Sequence, residues 1–180
     1  MLSLFRIAMS PVVVLFMLQE DVIYRIFSFF LILLVSLTDA LDGYYARKYN
    51  LISKIGKYLD PFADKIFVLS IFFTLYYLLN PHIPLWMIIV IFSRDLFVTL
   101  LRNIFEVKKL EFSTSKLGKN KTLLQIIVIH FIVLLMIIKE YNIYPVNYSI
   151  FYYTMLFCSL VTLLSGLDYL YQYYLLRNNE

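Results

Sequence analysis

Two short stretches near the first third of the chain carry its most informative pattern, DALDGYYAR at residues 39–47 and GKYLDPFAD at residues 56–64. They hold four of the 12 acidic residues of the sequence. Asp39 and Asp42 are three apart, and Asp60 and Asp64 are four apart, so each pair lies on one face of a helix. The loop between the two stretches is short. We therefore expect the end of one helix and the start of the next to bring all four carboxylates together.

The rest of the sequence is strongly apolar. Of its 180 residues 62% are hydrophobic, and the mean hydropathy is +0.79, more than a soluble domain of this size needs. A helix needs ~20 mostly apolar residues to cross the hydrocarbon core of a bilayer. The sequence therefore predicts an all-α integral membrane protein with a single domain over residues 1–180. Charged and Pro/Asn-rich breaks divide it into six transmembrane helices, at about residues 5–19, 23–47, 58–79, 84–105, 119–139 and 146–175.

The distribution of basic residues predicts an orientation. Two of the breaks are rich in lysine and the others are not, and the lysines concerned are Lys48, Lys54, Lys57, Lys108, Lys109 and Lys116. Excess Lys and Arg on cytoplasmic loops is the positive-inside pattern, so both termini should be cytoplasmic. The first apolar run lacks a small-residue cleavage site and is taken as the first span. Because the basic residues lie at helix ends and not on a soluble face, nucleic-acid binding has no support.

Four acids in apolar helices need compensation, since an ionised carboxylate near the bilayer centre costs ~2.5–3.5 kcal/mol on insertion scales. Two divalent cations would cancel their formal charge, and hard oxygen ligands select Mg²⁺, Mn²⁺ or Ca²⁺. Gly43, Ala46 and Gly56 leave space beside the acids for a ligand. A two-metal carboxylate site next to Arg47 suits phosphoryl chemistry. The alternative is that the acids are helix caps, or loop-edge charges paired with neighbouring Lys and Arg.

The spacing of these residues resembles the full signature of a known family, the CDP-alcohol phosphatidyltransferases. The matching positions are Asp39-x-x-Asp42-Gly43-x-x-Ala46-Arg47, eight further residues, and Gly56-x-x-x-Asp60-x-x-x-Asp64. Later landmarks are similar to the bacterial branch that uses sn-glycerol 3-phosphate as acceptor. They are Arg94-Asp95, Leu101-Arg102 and Ser115-Lys116-x-Gly118-Lys119-x-Lys121-Thr122-x-x-Gln125. That branch usually has Arg-Glu in place of Arg94-Asp95, and Asp also occurs there in related cardiolipin synthases.

This resemblance implies an enzyme of phospholipid biosynthesis. It would transfer the phosphatidyl group of CDP-diacylglycerol to sn-glycerol 3-phosphate, giving phosphatidylglycerophosphate and CMP. The resemblance further implies two Mg²⁺ or Mn²⁺ ions held by Asp39, Asp42, Asp60 and Asp64. Asp64 would also be the catalytic base. The residues implied for CDP binding are Asp39, Gly43, Ala46 and Arg47. A homodimer in the bacterial cytoplasmic (inner) membrane is expected, with the site facing the cytoplasm.

An acceptor that carries its own phosphate needs cationic groups near the metal site. The candidates are Arg94, Arg102, Lys116, Lys119 and Lys121. Arg94 lies about midway in a predicted span, so it needs a partner or a wet cavity. Asp95 is a candidate partner, and the alternative for Arg94 is a purely structural buried pair. The sequence does not assign a role to Asp168.

Other functions remain open at this point. The same chemistry could use phosphatidylglycerol or inositol phosphate as acceptor. A protein of a different class, an ion-coupled transporter, would distribute its acids along the depth of the membrane or across repeated halves. Here the acids of the pattern cluster at one side, and no internal repeat is present.

Overall fold

The computed structural model describes the backbone of residues 2–49, 54–107 and 116–177, and the side chains of residues 5–39, 41, 48–49, 62–101 and 121–170. Within these ranges the chain is all-helical, without strands. Its six helices are α1 (Leu2–Met17), α2 (Val22–Lys48), α3 (Lys54–Leu78), α4 (Leu85–Val107), α5 (Lys116–Glu140) and α6 (Ser149–Arg177).

Each predicted helix is present, and the prediction of an all-α chain is confirmed. The largest difference at a helix end is at the start of α3, which begins at Lys54 and not at residue 58. The prediction placed the boundary where the apolar run begins. Backbone hydrogen bonding continues the helix beyond that run, because a helix does not have to end where its apolar side chains end.

Three helical segments in the described part of the chain are long and apolar enough to cross a bilayer. They are Val22–Asp39, Lys121–Glu140 and Ser149–Leu170, with mean hydropathies of 1.9, 2.4 and 1.8. The outer faces of the bundle are also apolar. On α6, for example, Leu160, Leu164 and Leu167 all have more than half of their side-chain surface exposed. Contiguous apolar surface of this kind marks a membrane contact, and the chain is a membrane protein.

The helices pack as two groups that meet in the centre. Helix α1 packs against α2 and α3, and α6 packs against α4 and α5. Contacts of α2 with α5, and of α3 with α4 and α5, join the two groups. The core between them is filled by fully buried apolar side chains, among them Val13, Ile32, Ile71, Phe72, Ile91, Ile129 and Phe151.

One buried stripe on α1 faces α3. Arg6, Ser10, Val13 and Met17 are all buried, at the spacing of one helix face. The hydroxyl of Ser10 is 2.6 Å from the hydroxyl of Ser70 on α3. Because Arg6 is one turn before Ser10 on the same face, its side chain also points toward the α2 and α3 side of the helix.

Candidate active site

Arg6 joins two of the predicted metal ligands. Its Nη2 is 2.5 Å from Oδ1 of Asp39, and its Nη1 forms an ion pair with Oδ1 of Asp64. Asp39 is in the last part of α2 and Asp64 is in the first half of α3. The guanidinium is almost fully buried, whereas the two carboxylate side chains are 36% and 41% exposed. Two acids from different helices therefore converge on one cation and still face open space.

The side chains of Asp42 and Asp60 lie outside the described part of the structure, and so do those of Gly43, Ala46 and Arg47. Their positions on the backbone are nevertheless informative. Helix α2 continues unbroken past Asp39 to Lys48, and α3 begins ahead of Asp64. Asp42 thus follows Asp39 by three helical positions, and Asp60 precedes Asp64 by four. That all four carboxylates meet stays a prediction.

The chemistry of the donor set fits a divalent cation. Carboxylate oxygens are hard ligands of the kind that Mg²⁺ and Mn²⁺ prefer. Asp39 and Asp64 already share a positive group, Arg6, which carries only one charge against their two. Among the described side chains no three His, Cys, Asp or Glu residues are grouped to hold a metal. Of the four predicted metal ligands, the described side chains include only Asp39 and Asp64.

A cavity of about 140 Å³ opens beside Asp64, between α3, α4 and α5. Its polar lining includes two of the cations predicted to bind an acceptor, Arg94 and Lys121. Asp64 therefore borders the same space as these two cations, although they come from three different helices. The full lining is Asp64, Lys65, Val68, Leu69, Ile91, Arg94, Asp95, Val98, Thr99, Lys121, Thr122 and Gln125.

Asp95 anchors the cations on one wall of this cavity. Its Oδ1 accepts a hydrogen bond from Nη1 of Arg94 at 3.2 Å and a second, charged hydrogen bond from Nζ of Lys121. On the same wall Lys65 donates to the hydroxyl of Thr99, which in turn donates to the backbone carbonyl of Asp95 at 2.8 Å. Arg94 and Lys121 thus share a single carboxylate, and Lys65 is linked through Thr99 to the backbone of the same residue. This wall carries net positive charge and favours an anionic ligand.

The predicted pairing of Arg94 with Asp95 is present, but it leaves other nitrogen donors of Arg94 without a hydrogen-bond partner among the described residues. Both residues are only 7% exposed. Within the described residues Nε and Nη2 of Arg94, and Nε2 of Gln125, are buried and have no hydrogen-bond partner. Buried donors without partners are costly and rare, and at a cavity wall they are the groups that a ligand oxygen or a water satisfies. Arg102, Lys116 and Lys119 have side chains outside the described part.

Sequence reasoning missed several residues of this region. The sequence pattern assigns no role to Arg6 and does not predict its contacts with the acids. Lys65, Thr99 and Thr122 were not assigned to a site, although they line the cavity. A lone arginine within an apolar run was a usable signal for Arg6, because such a residue needs a partner inside the bundle.

Comparison of the sequence with known proteins identifies its family. The profile of the CDP-alcohol phosphatidyltransferase family matches residues 1–164, and the chain belongs to this family of transferases. Among curated relatives, two bacterial enzymes cover similar shares of the chain. Both are named CDP-diacylglycerol–glycerol-3-phosphate 3-phosphatidyltransferase.

The relative from Rickettsia bellii is 36% identical over 133 residues, which are 74% of this chain and 72% of that protein. The relative from Bacillus subtilis is 36% identical over 140 residues, 71% of this chain and 72% of that protein. A protein of the same name from Aquifex aeolicus is 45% identical over 67 residues, 37% of this chain and 36% of that protein.

Proposed function

We propose that the protein transfers the phosphatidyl group of CDP-diacylglycerol to sn-glycerol 3-phosphate, giving phosphatidylglycerophosphate and CMP in phospholipid biosynthesis. One observation carries the proposal: Asp64 borders the same cavity as Arg94 and Lys121. A carboxylate that can take a proton thereby faces two cations that can hold a phosphate. The names of the curated relatives describe the same reaction.

In this proposal Asp39, Asp42, Asp60 and Asp64 hold two Mg²⁺ or Mn²⁺ ions. When bound, the ions would neutralise the pyrophosphate of the donor and the charge on departing CMP. Asp39, Gly43, Ala46 and Arg47 would bind the CDP group. The convergence of Asp39 and Asp64 on Arg6 supports this assignment, because it brings two helices of the predicted ligand set to one cation.

The remaining chemistry belongs to the side chains of the protein. Asp64 accepts the proton of the acceptor hydroxyl while that oxygen attacks the phosphorus of the phosphatidyl group. The new bond joins the acceptor oxygen to this phosphorus. The bond that breaks links the same phosphorus to the oxygen that leaves with CMP. The contact with Arg6 holds the Asp64 carboxylate in a fixed direction.

The charge of the cavity supports a phosphorylated acceptor. The cations of its lining, Lys65, Arg94 and Lys121, outnumber the two carboxylates of Asp64 and Asp95, and this excess of positive charge favours an anion over a neutral alcohol. Arg94 and Lys121 would hold the acceptor phosphate by charge-assisted hydrogen bonds. The further predicted phosphate ligands are Arg102, Lys116 and Lys119.

For the whole protein we propose six membrane crossings, with both termini in the cytoplasm of a bacterium and the site at the cytoplasmic face of the inner membrane. The lysine-rich breaks of the sequence and the three apolar segments in α2, α5 and α6 support this arrangement. The family resemblance alone supports a homodimer.

The test is release of CMP by the purified protein from CDP-diacylglycerol with Mn²⁺ or Mg²⁺. Glycerol 3-phosphate, phosphatidylglycerol, inositol 1-phosphate and serine are offered in separate reactions. We expect metal-dependent release with glycerol 3-phosphate, and none from Asp64→Asn. Asp21→Asn is the matched control, because Asp21 is exposed at the opposite end of α2 and asparagine preserves its cap to the backbone of Ile23.

The other outcomes have defined meanings. Turnover with phosphatidylglycerol or inositol 1-phosphate alone would keep the chemistry and refute glycerol 3-phosphate as the acceptor. If no acceptor yields CMP, the transferase proposal fails for this chain, and ion transport in proteoliposomes becomes the function to measure.

A further inference from the structure

Arg94 lies against the backbone of α6 at Gly166. A Cβ atom at position 166 would be 2.9 Å from Cγ of Arg94 and 3.4 Å from its Nε. The first distance is shorter than real Cβ contacts, so any larger residue at 166 would displace the arginine side chain. Glycine inside a helix costs about 1 kcal/mol relative to alanine. The close approach of Arg94 gives this glycine a structural reason.

Tyr169 supports the other end of the same side chain. The Cζ atom of Arg94 is 5.4 Å from the centroid of the Tyr169 ring, within the range of a cation–π interaction. Tyr169 is fully buried. Residues 166 and 169 are three apart on α6 and therefore lie on one helix face. We call this surface of Gly166 and Tyr169 the α6 shelf.

The shelf determines which atoms of Arg94 are left for a ligand. The shelf contacts its Cγ and the region of its Cζ, and Asp95 takes its Nη1. Within the described residues Nε and Nη2 have no hydrogen-bond partner, and Arg94 lines the cavity. Neither shelf residue lines the cavity. Arg94 would therefore contact the ligand directly, whereas Gly166 and Tyr169 act only through their contacts with Arg94.

We propose that Gly166 and Tyr169 are positioning residues, which hold the guanidinium of Arg94 in place for the phosphate of the acceptor. A guanidinium that is already held loses less conformational freedom when the ligand binds. Because Arg94 binds the acceptor in the function proposed above, this role depends on that function. Both shelf residues follow residue 164, where the match to the family profile ends.

A double-mutant cycle tests the shelf through KM for glycerol 3-phosphate. Gly166→Ala should raise this KM about tenfold, the effect of weakening one hydrogen bond to a charged group, with kcat and KM for CDP-diacylglycerol nearly unchanged. In an Arg94→Ala background Gly166→Ala should add nothing, because the side chain with which the new Cβ collides is gone. Leu167→Ala, on the exposed face of the same turn, is the matched control.

Substitutions of Tyr169 test the role of the α6 shelf independently. Tyr169→Phe keeps the ring and should preserve KM for glycerol 3-phosphate, whereas Tyr169→Leu removes the π face and should raise it. The thermal midpoint of each variant in detergent shows whether α6 still folds. This pair gives a result even if Gly166→Ala is poorly expressed.

The possible failures are distinguishable. If the wild-type protein does not use glycerol 3-phosphate, the proposed function and the shelf fail together. If the wild type uses it but Arg94→Ala leaves KM unchanged, the function stands, and the role of Arg94 fails together with the shelf. If Arg94→Ala raises KM but Gly166→Ala and Tyr169→Leu do not, only the shelf is refuted. Equal effects of Gly166→Ala with and without Arg94 would also refute it, since they would reveal a general packing defect.

Discussion

Arg6 and Asp64 form an ion pair that ties the first helix to the third, and the same guanidinium reaches Asp39 on the second. The arginine is buried and the two acids are partly exposed. A fixed positive charge thus holds acids that would otherwise repel one another. This contact makes the first helix part of the proposed metal site.

Removal of that charge should destabilise the metal-free protein. Loss of a cation shared by two partly exposed acids is expected to cost about 1–3 kcal/mol, between the values for surface and buried pairs. For Arg6→Gln we expect a lower thermal midpoint in EDTA and a larger upward shift on addition of Mn²⁺, because the ion replaces the missing charge. Arg6→Lys, which keeps the charge, should lie nearer the wild type. An equal Mn²⁺ shift in Arg6→Gln and wild type would contradict this role.

Asp95 should matter for stability as well as for activity. Asp95→Ala leaves Arg94 and Lys121 without their shared acceptor, and removing one partner of a buried ion pair costs ~3–5 kcal/mol. We expect a marked fall in the thermal midpoint and in CMP release. Asp95→Glu retains the charge and should keep most of both. Stability of Asp95→Ala equal to the wild type would show that the carboxylate is not needed to anchor the two cations.

Lys121 is expected to act on the acceptor and not on the donor. Lys121→Met should raise KM for glycerol 3-phosphate about tenfold, the effect of losing one charged hydrogen bond, while KM for CDP-diacylglycerol stays the same. Lys139→Met is the control on the same helix, because Lys139 lies at the far end of α5 over the ring of Tyr148. A parallel rise in both KM values for Lys121→Met would argue against a role specific to the acceptor.

The ion pair at the end of the bundle away from the proposed site should contribute to stability and not to catalysis. Arg25 at the start of α2 pairs with Glu140 at the end of α5. Arg25→Met alone should lower the thermal midpoint, because Glu140 stays behind without its cation, and Arg25→Met with Glu140→Met should recover part of the loss. KM for glycerol 3-phosphate and KM for CDP-diacylglycerol should both stay unchanged. A change in KM for glycerol 3-phosphate would show that this pair is coupled to the site.

The helices were predictable because each follows from a local property, the run of apolar residues between polar breaks. The same holds for the partnership of Arg94 with Asp95, which are neighbours in the chain. The acids of α2 and α3 could be expected to meet because only a short loop separates them. For Asp39 and Asp64 the structure brings these acids to a common partner.

Contacts between distant helices left no such local sign. Arg6 reaches Asp64 across most of the first third of the chain, and Arg94 rests on Gly166 of the last helix. Lys121 joins Asp95 from another helix. Such pairs depend on which helix faces pack together, and many arrangements of six apolar helices satisfy the same sequence pattern. Only the three-dimensional packing selects among them.

The buried stripe of α1 has a consequence for biosynthesis. The ribosome delivers α1, with Arg6, before Asp39 on α2 and Asp64 on α3 emerge. Until then the guanidinium has no acid to meet and must stay near water at the membrane surface, where a long basic side chain can extend. The Arg6 side chain can therefore meet Asp39 only after the second helix has been translated, and Asp64 only once the third has followed.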